Sequence, residues 1–336
     1  MVLNVIVYGF RTSEPSLAIG LADIAYASVR SFGSRCGNIS GLLFHWISHY
    51  RAEAVKCRRH PRRELVMNVN YTYGDFSNTA SCYAARAAYD KVVLDLLTAY
   101  VGASRTDFTV ADIGAGTGKL TSELASRHLR GFAVEPNEEM RNEGRRAMTA
   151  LGAFEWRPGT GENTSLPDHS VDWAIVSNAF HWMDTQATLR EMGRILRPGG
   201  FLSIMYCLPD HQNCKTRTVI ENHLSTTFPG LKRVMPGIRD LMTRLKDVVH
   251  LSDTFTECLQ IHRQHVVAKT PERFLLSWRG THDIPSQIGA ERWEELLSWI
   301  EGQIGDAREL RLPHETTSWT VQLATRRMEA TQKAIA

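Results

Sequence analysis

Cysteine is scarce in this chain and follows no ligand spacing. Six cysteines are scattered over 336 residues without a C-x-x-C pair. That excludes the usual zinc and disulfide frameworks and points to reduced thiols in a cytoplasm. Long apolar runs are also missing. Stretches such as Gly41 to Phe44 are far too short to cross a bilayer, so a membrane role is not expected. There is no internal repeat and no low-complexity tract. No side of the charge balance dominates, with 39 Lys and Arg against 36 Asp and Glu. The positive excess is confined to one place. Residues 1–66 hold nine basic and four acidic residues, so Met67 to Ala336 carries −2 within a chain total of +3. A nucleic-acid-binding surface is therefore not expected.

The basic leader, residues 1–66, reads as separate from the rest. Lys56-Cys-Arg-Arg-His-Pro-Arg-Arg63 is a solvated charge run by composition. No secretory apolar core follows a basic start, although an Arg- and Ser-rich, acid-poor segment has the composition of a transit peptide. A second expectation is that translation starts at Met67, which would make the leader disordered or a mis-assigned start. The folded domain is then 67–336.

What is present is concentrated in Val110-Ala-Asp-Ile-Gly-Ala-Gly-Thr-Gly-Lys119. Phe108 to Ile113 predicts a strand, and Leu120, Leu124 and Ala125 predict the inner face of a helix. Three alternating glycines join them, so a ligand can approach the backbone closely. The helix start adds free N–H groups and a positive dipole end. The spacing is G-x-G-x-G, one residue short of the dinucleotide fingerprint, which weakens a nicotinamide oxidoreductase. A phosphate loop fails too, because Ile113 stands where its first glycine belongs and Leu120 replaces Ser/Thr. Asp112 before the loop suits a ligand carrying an ammonium.

Downstream, Arg130 to Glu135 predicts a second strand with an acid at its tip, 17 residues after Gly118. A carboxylate there can accept both hydroxyls of a ribose. Its bland alternative is a helix cap, a task for which Asn137 is better placed. Gly159-Thr-Gly-Glu-Asn-Thr-Ser-Leu-Pro167 follows as a loop, then the strand Val171 to Ser177. Asn178-Ala-Phe-His-Trp-Met-Asp184 comes directly after it, and a helix over Thr185 to Leu196 ends at Arg197-Pro-Gly-Gly200. Phe201 to Tyr206 is a fifth strand.

In this order, D-I-G-A-G-T-G, V-E-P-N-E-E-M, G-T-G-E-N-T-S-L-P, S-N-A-F-H-W-M-D and L-R-P-G-G-F-L resemble the class I S-adenosylmethionine methyltransferases. The F-H-W signature, with Tyr83-Ala-Ala-Arg-Ala-Ala-Tyr89 standing for Y-x-x-R-P-x-Y without its proline, resembles the trans-aconitate-methyltransferase-like and quinone-biosynthesis branch. The resemblance covers roughly Tyr73 to Tyr206. It implies an α/β fold, a Rossmann-like doubly wound seven-stranded sheet with an antiparallel edge strand. A mostly helical insertion over 207–307 is expected to form the substrate pocket before the last strands, Glu309 to Pro313 and Thr316 to Thr325. Tyr83 to Tyr100 is expected as a helix over the cofactor, and Ala290 to Gly305 as another helix.

The resemblance further implies S-adenosyl-L-methionine as cofactor, held by Arg86, Asp112, Gly114, Gly116, Gly118, Glu135, Gly161, Glu162 and Asn178. His181 is the candidate catalytic residue, and His181 with Trp182 the candidate acceptor contact. His181 acts as base or acceptor anchor, or else only orients its loop. Arg86 pairs with the carboxylate of the cofactor or with one on the substrate. Asp184 reads as a helix cap, and Trp46, Trp156 and Trp173 as core. His262, Arg263, His265, Arg273 and Arg279 could meet an anionic acceptor. No metal is expected, since His181 and Asp184 make only two ligands.

The expected activity is methylation of a small molecule, O-methylation of an acidic or phenolic acceptor. Alternatives are N- or C-methylation of a natural-product intermediate, or a catalytically weak cofactor-binding regulatory scaffold. The absence of an N/D-P-P-Y/F tetrad after the fourth strand disfavours nucleic acid as substrate. A monomer or homodimer is expected.

Overall fold

The computed structural model describes residues 3–8, 85, 87, 89–148, 152–250, 254–281, 283–305 and 307–324. Most of the leader, Trp46, Tyr83 and Arg86 lie outside them. All the described residues belong to one compact unit, Met1–Thr12 with Tyr73–Ala336.

Its strands are β1 (Leu3–Tyr8), β2 (Thr109–Ile113), β3 (Arg130–Val134), β4 (Phe154–Arg157), β5 (Val171–Ser177), β6 (Leu196–Pro209), β7 (Phe255–Lys269) and β8 (Leu310–Leu323). The helices are α1 (Lys91–Tyr100), α2 (Lys119–Ala125), α3 (Glu138–Met148), α4 (Thr185–Ile195), α5 (Lys215–Thr227), α6 (Val234–His250), α7 (Pro271–Arg279), α8 (Pro285–Ile288) and α9 (Ala290–Ile304). One mixed sheet runs in the order β1-β7-β8-β6-β5-β2-β3-β4. The β2–β3, β3–β4, β2–β5 and β5–β6 pairs are parallel, while β8 is antiparallel to both β6 and β7. The order reverses between β2 and β5, which opens a ligand crevice at the carboxyl ends of those strands.

The central strands read as continuous apolar runs because both faces are covered. Every residue of β5 is buried. One face packs Val176, Ile204 and Tyr206 against α4 and α6, through Leu189, Met192, Leu241 and Leu245. The other packs Val110, Ile175 and Met205 against α1 and α2, through Val93, Leu97, Leu120 and Leu124. A third apolar cluster joins α5, α7 and α9 to the start of β8. Trp293, Leu296, Leu297, Ile300 and Ile304 form the buried stripe of α9, as their spacing predicts. Trp173 is fully buried, and Trp156 is nearly so.

Several expectations need correction. The sheet has eight strands, not seven. The antiparallel strand β8 is interior, flanked by β6 and β7, and the sheet edge on that side is β1. β1 comes from the leader. Leu3 to Tyr8 pairs antiparallel with Arg263 to Cys258, so at least this piece of residues 1–66 is part of the fold. The mostly helical 207–307 stretch also contains the 15-residue strand β7. The two expected C-terminal strands are one strand. Pro313 is tolerated inside it because its carbonyl faces Asp210, just beyond the last β6 pair at Pro209 and His314, where no ladder N–H is needed. Finally, α1 begins only at Lys91, with Asp90 as its cap, so Tyr89 precedes the helix.

Candidate cofactor and acceptor site

The glycine loop follows from backbone conformation. Gly114, Gly116 and Gly118 have φ of 71°, 57° and 79°, the left-handed region that glycine alone enters freely. Gly114 also has no room for a side chain, since a Cβ there would stand 2.7 Å from the Ala179 Cβ. At Gly116 the space is open, with the Met140 sulfur the nearest atom at 3.8 Å. A small group can therefore lie over the middle of the loop, while α2 starts at its end.

Two buried carboxylates flank that space. Asp112, at 1 % exposure, accepts a hydrogen bond from the Thr121 hydroxyl at 2.6 Å. Burial first, and the nearby Glu135 charge next, push its pKa up to about 7. Glu135 accepts from the Gly116 N–H at 2.9 Å on one oxygen and from the Asn137 N–H at 3.0 Å on the other. Each oxygen keeps a second lone pair for a ligand hydroxyl. Burial raises the Glu135 pKa too. The capping task at α3 goes to Asn137, whose side chain accepts from the Met140 N–H at 2.9 Å. Among the described residues no cation is paired with Asp112. The site therefore suits a ligand that brings a positive charge and hydroxyl donors.

Loops after β4 and β5 close the next wall. A Cβ on Gly161 would fall 2.3 Å from the Met183 sulfur, so only glycine lets the two loops meet. Glu162 accepts from the Asp184 N–H at 2.6 Å, and Asp184 in turn caps α4 through the Ala187 N–H. Asn178 sits at φ 52°, which asparagine tolerates better than most residues. Its N–H donates to the Met205 carbonyl and its side-chain oxygen accepts from the Cys207 N–H at 2.9 Å, strapping the ends of β5 and β6 together.

His181 and Trp182 lie on a short 3-10 turn, Phe180–Trp182, anchored by the buried Phe180. The His181 Nδ1 is 3.4 Å from the Tyr206 hydroxyl, and its ring centroid is 4.7 Å from that of Trp182. Of the basic residues expected near an acceptor, His262, Arg263 and His265 stand on β7. His262 meets the Thr317 hydroxyl at 2.9 Å, and Arg263 pairs with Asp90. Arg279 on α7 is held by Glu294. Arg273, also on α7, is exposed.

Sequence reasoning missed Tyr89, Asp90, Tyr206 and Cys207 as site residues. The Tyr89 phenol faces Ser177 and Asn178, and burial raises its pKa. Its place in the Tyr83-to-Tyr89 motif was the available signal. Among the described residues no group of three metal-ligating side chains exists, and no helix is long and apolar enough to cross a membrane.

Residues 111–204 match the family model for a methyltransferase domain. An uncharacterized methyltransferase of Mycobacterium tuberculosis is 42 % identical over 103 residues, 31 % of this chain and 41 % of the relative. The chain thus spans about two fifths of the length of the mycobacterial relatives it matches. Malonyl-[acyl-carrier protein] O-methyltransferase 1 of Coxiella burnetii is 29 % identical over 236 residues, covering 65 % of this chain and 77 % of that one. A solved structure titled as a putative type II methyltransferase from Anaeromyxobacter dehalogenans aligns with a TM-score of 0.47 at 20 % identity, covering 71 % of this chain and 98 % of that one. Residues 111–204, which carry the glycine loop and its two carboxylates, are thus similar to a methyltransferase domain.

Proposed function

We propose that the whole chain is a methyltransferase that moves the methyl group of S-adenosylmethionine to a small molecule. The observation that carries this reading is the pair of buried carboxylates, Asp112 and Glu135, on either side of three left-handed glycines inside the matched domain. When bound, the cofactor supplies an activated methyl on a sulfonium. Asp112 attracts the cationic end of the ligand. Glu135 accepts its ribose hydroxyls, and Gly114, Gly116 and Gly118 keep the floor free of side chains. Gly161, Glu162 and Asn178 shape the far wall, and Arg86, outside the described residues, is assigned to pair with a carboxylate.

His181 and Trp182 anchor the acceptor. The main work left to the protein is alignment, and positioning alone is worth ~7–11 kcal/mol. We place the chain with the trans-aconitate-like and quinone-biosynthesis branch on its F-H-W turn, and its acceptor among small acids or phenols methylated on oxygen. The Coxiella relative, named for O-methylation of a malonyl carrier, supports oxygen as the acceptor atom. Calorimetry tests the first step. S-adenosylhomocysteine should bind and NADH should not. The opposite result removes the reading.

A further inference from the structure

Consecutive residues of β6 point to opposite faces of the sheet. Tyr206 shares its layer with Ile204 and Leu208 and leads to His181. Cys207 follows Met205 toward the α1 face, and it leads to a second histidine. The Cys207 sulfur is 4.0 Å from His265 Nε2, and His265 Nδ1 is 3.6 Å from the Asp90 carboxylate. The His265 side chain is 9 % exposed and that of Asp90 4 %. Among the described residues, the buried Nδ1 has no hydrogen-bond partner closer than that carboxylate.

Asp90 itself is fixed. Its other oxygen accepts from the Val93 N–H at 3.0 Å as the cap of α1, and Arg263 holds it from β7. Among the described residues, two more groups stand in this region. His314 on β8 stands with its ring 6.0 Å away, its Nδ1 directed to the Leu312 carbonyl at 3.0 Å. Lys269, further along β7, donates to the Ala85 carbonyl at 2.8 Å. The residue before Asp90 links this cluster to the donor cleft, because the Tyr89 phenol lies within electrostatic reach of both Asp112 and Cys207.

We propose that His265, oriented by Asp90, takes the proton of the methyl acceptor at Nε2, with the acceptor X–H standing beside Cys207. This rests on the methyltransferase reading above and deepens it. In the step, the X–H bond breaks and its proton bonds to Nε2. The electron pair left on X forms the new bond to the methyl carbon, and the carbon–sulfur pair returns to sulfur. The positive charge passes from the sulfonium to the imidazole, whose Nδ1–H faces a carboxylate. Burial lowers the pKa of His265, which keeps Nε2 unprotonated before the step. Cys207 is held by burial as a neutral thiol, its pKa pushed up to about 11, so it does not compete as an anion. His181, on the other side of β6, is left to anchor the acceptor.

The tautomer of His265 tests this without any substrate. Nitrogen-15 NMR of the histidine side chains, with the signal assigned by its loss in His265→Gln, should show a neutral ring protonated on Nδ1. In Asp90→Asn the Nε2–H form should gain at least tenfold. Asn also caps helices well, so α1 should persist in that variant. A ring protonated on Nε2 in the wild type overturns the proposal outright, because that nitrogen could accept nothing.

Kinetics adds a second arm, with a tritium-labelled methyl donor and a panel of small carboxylic acids and phenols. His265→Gln should lower kcat by ~10²–10⁴-fold, the range for a lost general base, with S-adenosylhomocysteine affinity within twofold by calorimetry. Full turnover in His265→Gln would also overturn it. If the wild type binds no S-adenosylhomocysteine, the methyltransferase reading fails, and the tautomer measurement still reports separately on the Asp90–His265 geometry.

Discussion

Asp112 should make the ligand-free protein lose stability as the pH rises. The unfolded chain presents a carboxyl near its ordinary value of 3.8, while the folded chain holds it at about 7. Between those values the folded state binds more protons than the unfolded one, so raising the pH favours unfolding. The stability is fully present below the unfolded value and lost as the pH climbs to the folded one. The displacement of about three pH units corresponds to ~4 kcal/mol in all, at ~1.4 kcal/mol per unit. About 3 kcal/mol of it falls between pH 5 and pH 8. Urea denaturation at constant ionic strength, at those two pH values, reads the loss directly. Asp112→Asn keeps an oxygen for the Thr121 hydroxyl and removes the titration, so its slope should be flatter by that amount. Glu135 acts in the same direction and remains in both proteins. A saturating cationic ligand should shrink the wild-type slope by favouring the carboxylate. Equal slopes for the two proteins would refute the reasoning, as would a wild type that gains stability relative to the variant on going to pH 8.

Three further outcomes are expected. Gly114→Ala combines a left-handed φ with a Cβ 2.7 Å from Ala179, and should cost ~2–4 kcal/mol in a denaturation experiment. At Gly102, φ 68° with nothing within 4 Å, the same change should cost only ~1–2 kcal/mol, and equal losses would discredit the packing argument. His181→Ala should raise the acceptor KM more than it lowers kcat, with donor affinity by calorimetry intact; a fall in donor affinity would assign His181 to the loop instead. A chain starting at Met67 loses the β1–β7 ladder and should be less stable by a few kcal/mol, at ~1 kcal/mol per ladder hydrogen bond. An unchanged melting midpoint would mean that β1 adds nothing to the fold.

The donor half of the site was legible in the sequence because its physics is local. A loop that needs left-handed backbone must be written in glycine, and Gly114, Gly116 and Gly118 stand within five residues. Asp112 and Glu135 end strands whose apolar runs are equally plain. The edge of the sheet was harder. β7 alternates poorly, since Cys258, Leu259 and Ile261 are all buried and its second half carries His262, Arg263, Gln264 and His265. Pro313 argued for a break in β8, and only the end of β6 at Pro209 explains why none occurs. β1 carries no charge and sits in a basic leader, so nothing local tied it to a strand 250 residues away. That tie is set by register alone, Leu3 opposite Arg263 and Tyr8 opposite Cys258.

The acceptor half shows the same limit in its chemistry. Arg263 and His265 were legible only as basic residues that could meet an anion, and nothing local marked Asp90 or Cys207. Asp90 caps α1 besides. These residues become one site only because β7 enters the sheet beside β8 and brings Arg263 and His265 to a carboxylate 173 residues earlier in the chain. The charge placement then favours one class of acceptor. Arg263 is matched by Asp90, while Lys269 is 5 % exposed and its positive charge reaches both Cys207 and His314. Arg217 lies over the rings of Phe274 and Trp278, and both cations reach His314 strongly enough to help burial hold it neutral, its pKa lowered to about 3. A buried positive charge is stabilised by an anion far more than by a neutral group. An acceptor that brings a carboxylate would be drawn into the positive field of Lys269 and leave its reacting X–H free for Nε2 of His265. A neutral amine or alcohol of the same size would gain less from that field. Acids and phenol-acids should therefore outcompete their neutral esters as acceptors. The Lys269→Met variant should narrow that preference at least tenfold in kcat/KM, and an unchanged ratio would remove Lys269 from substrate selection.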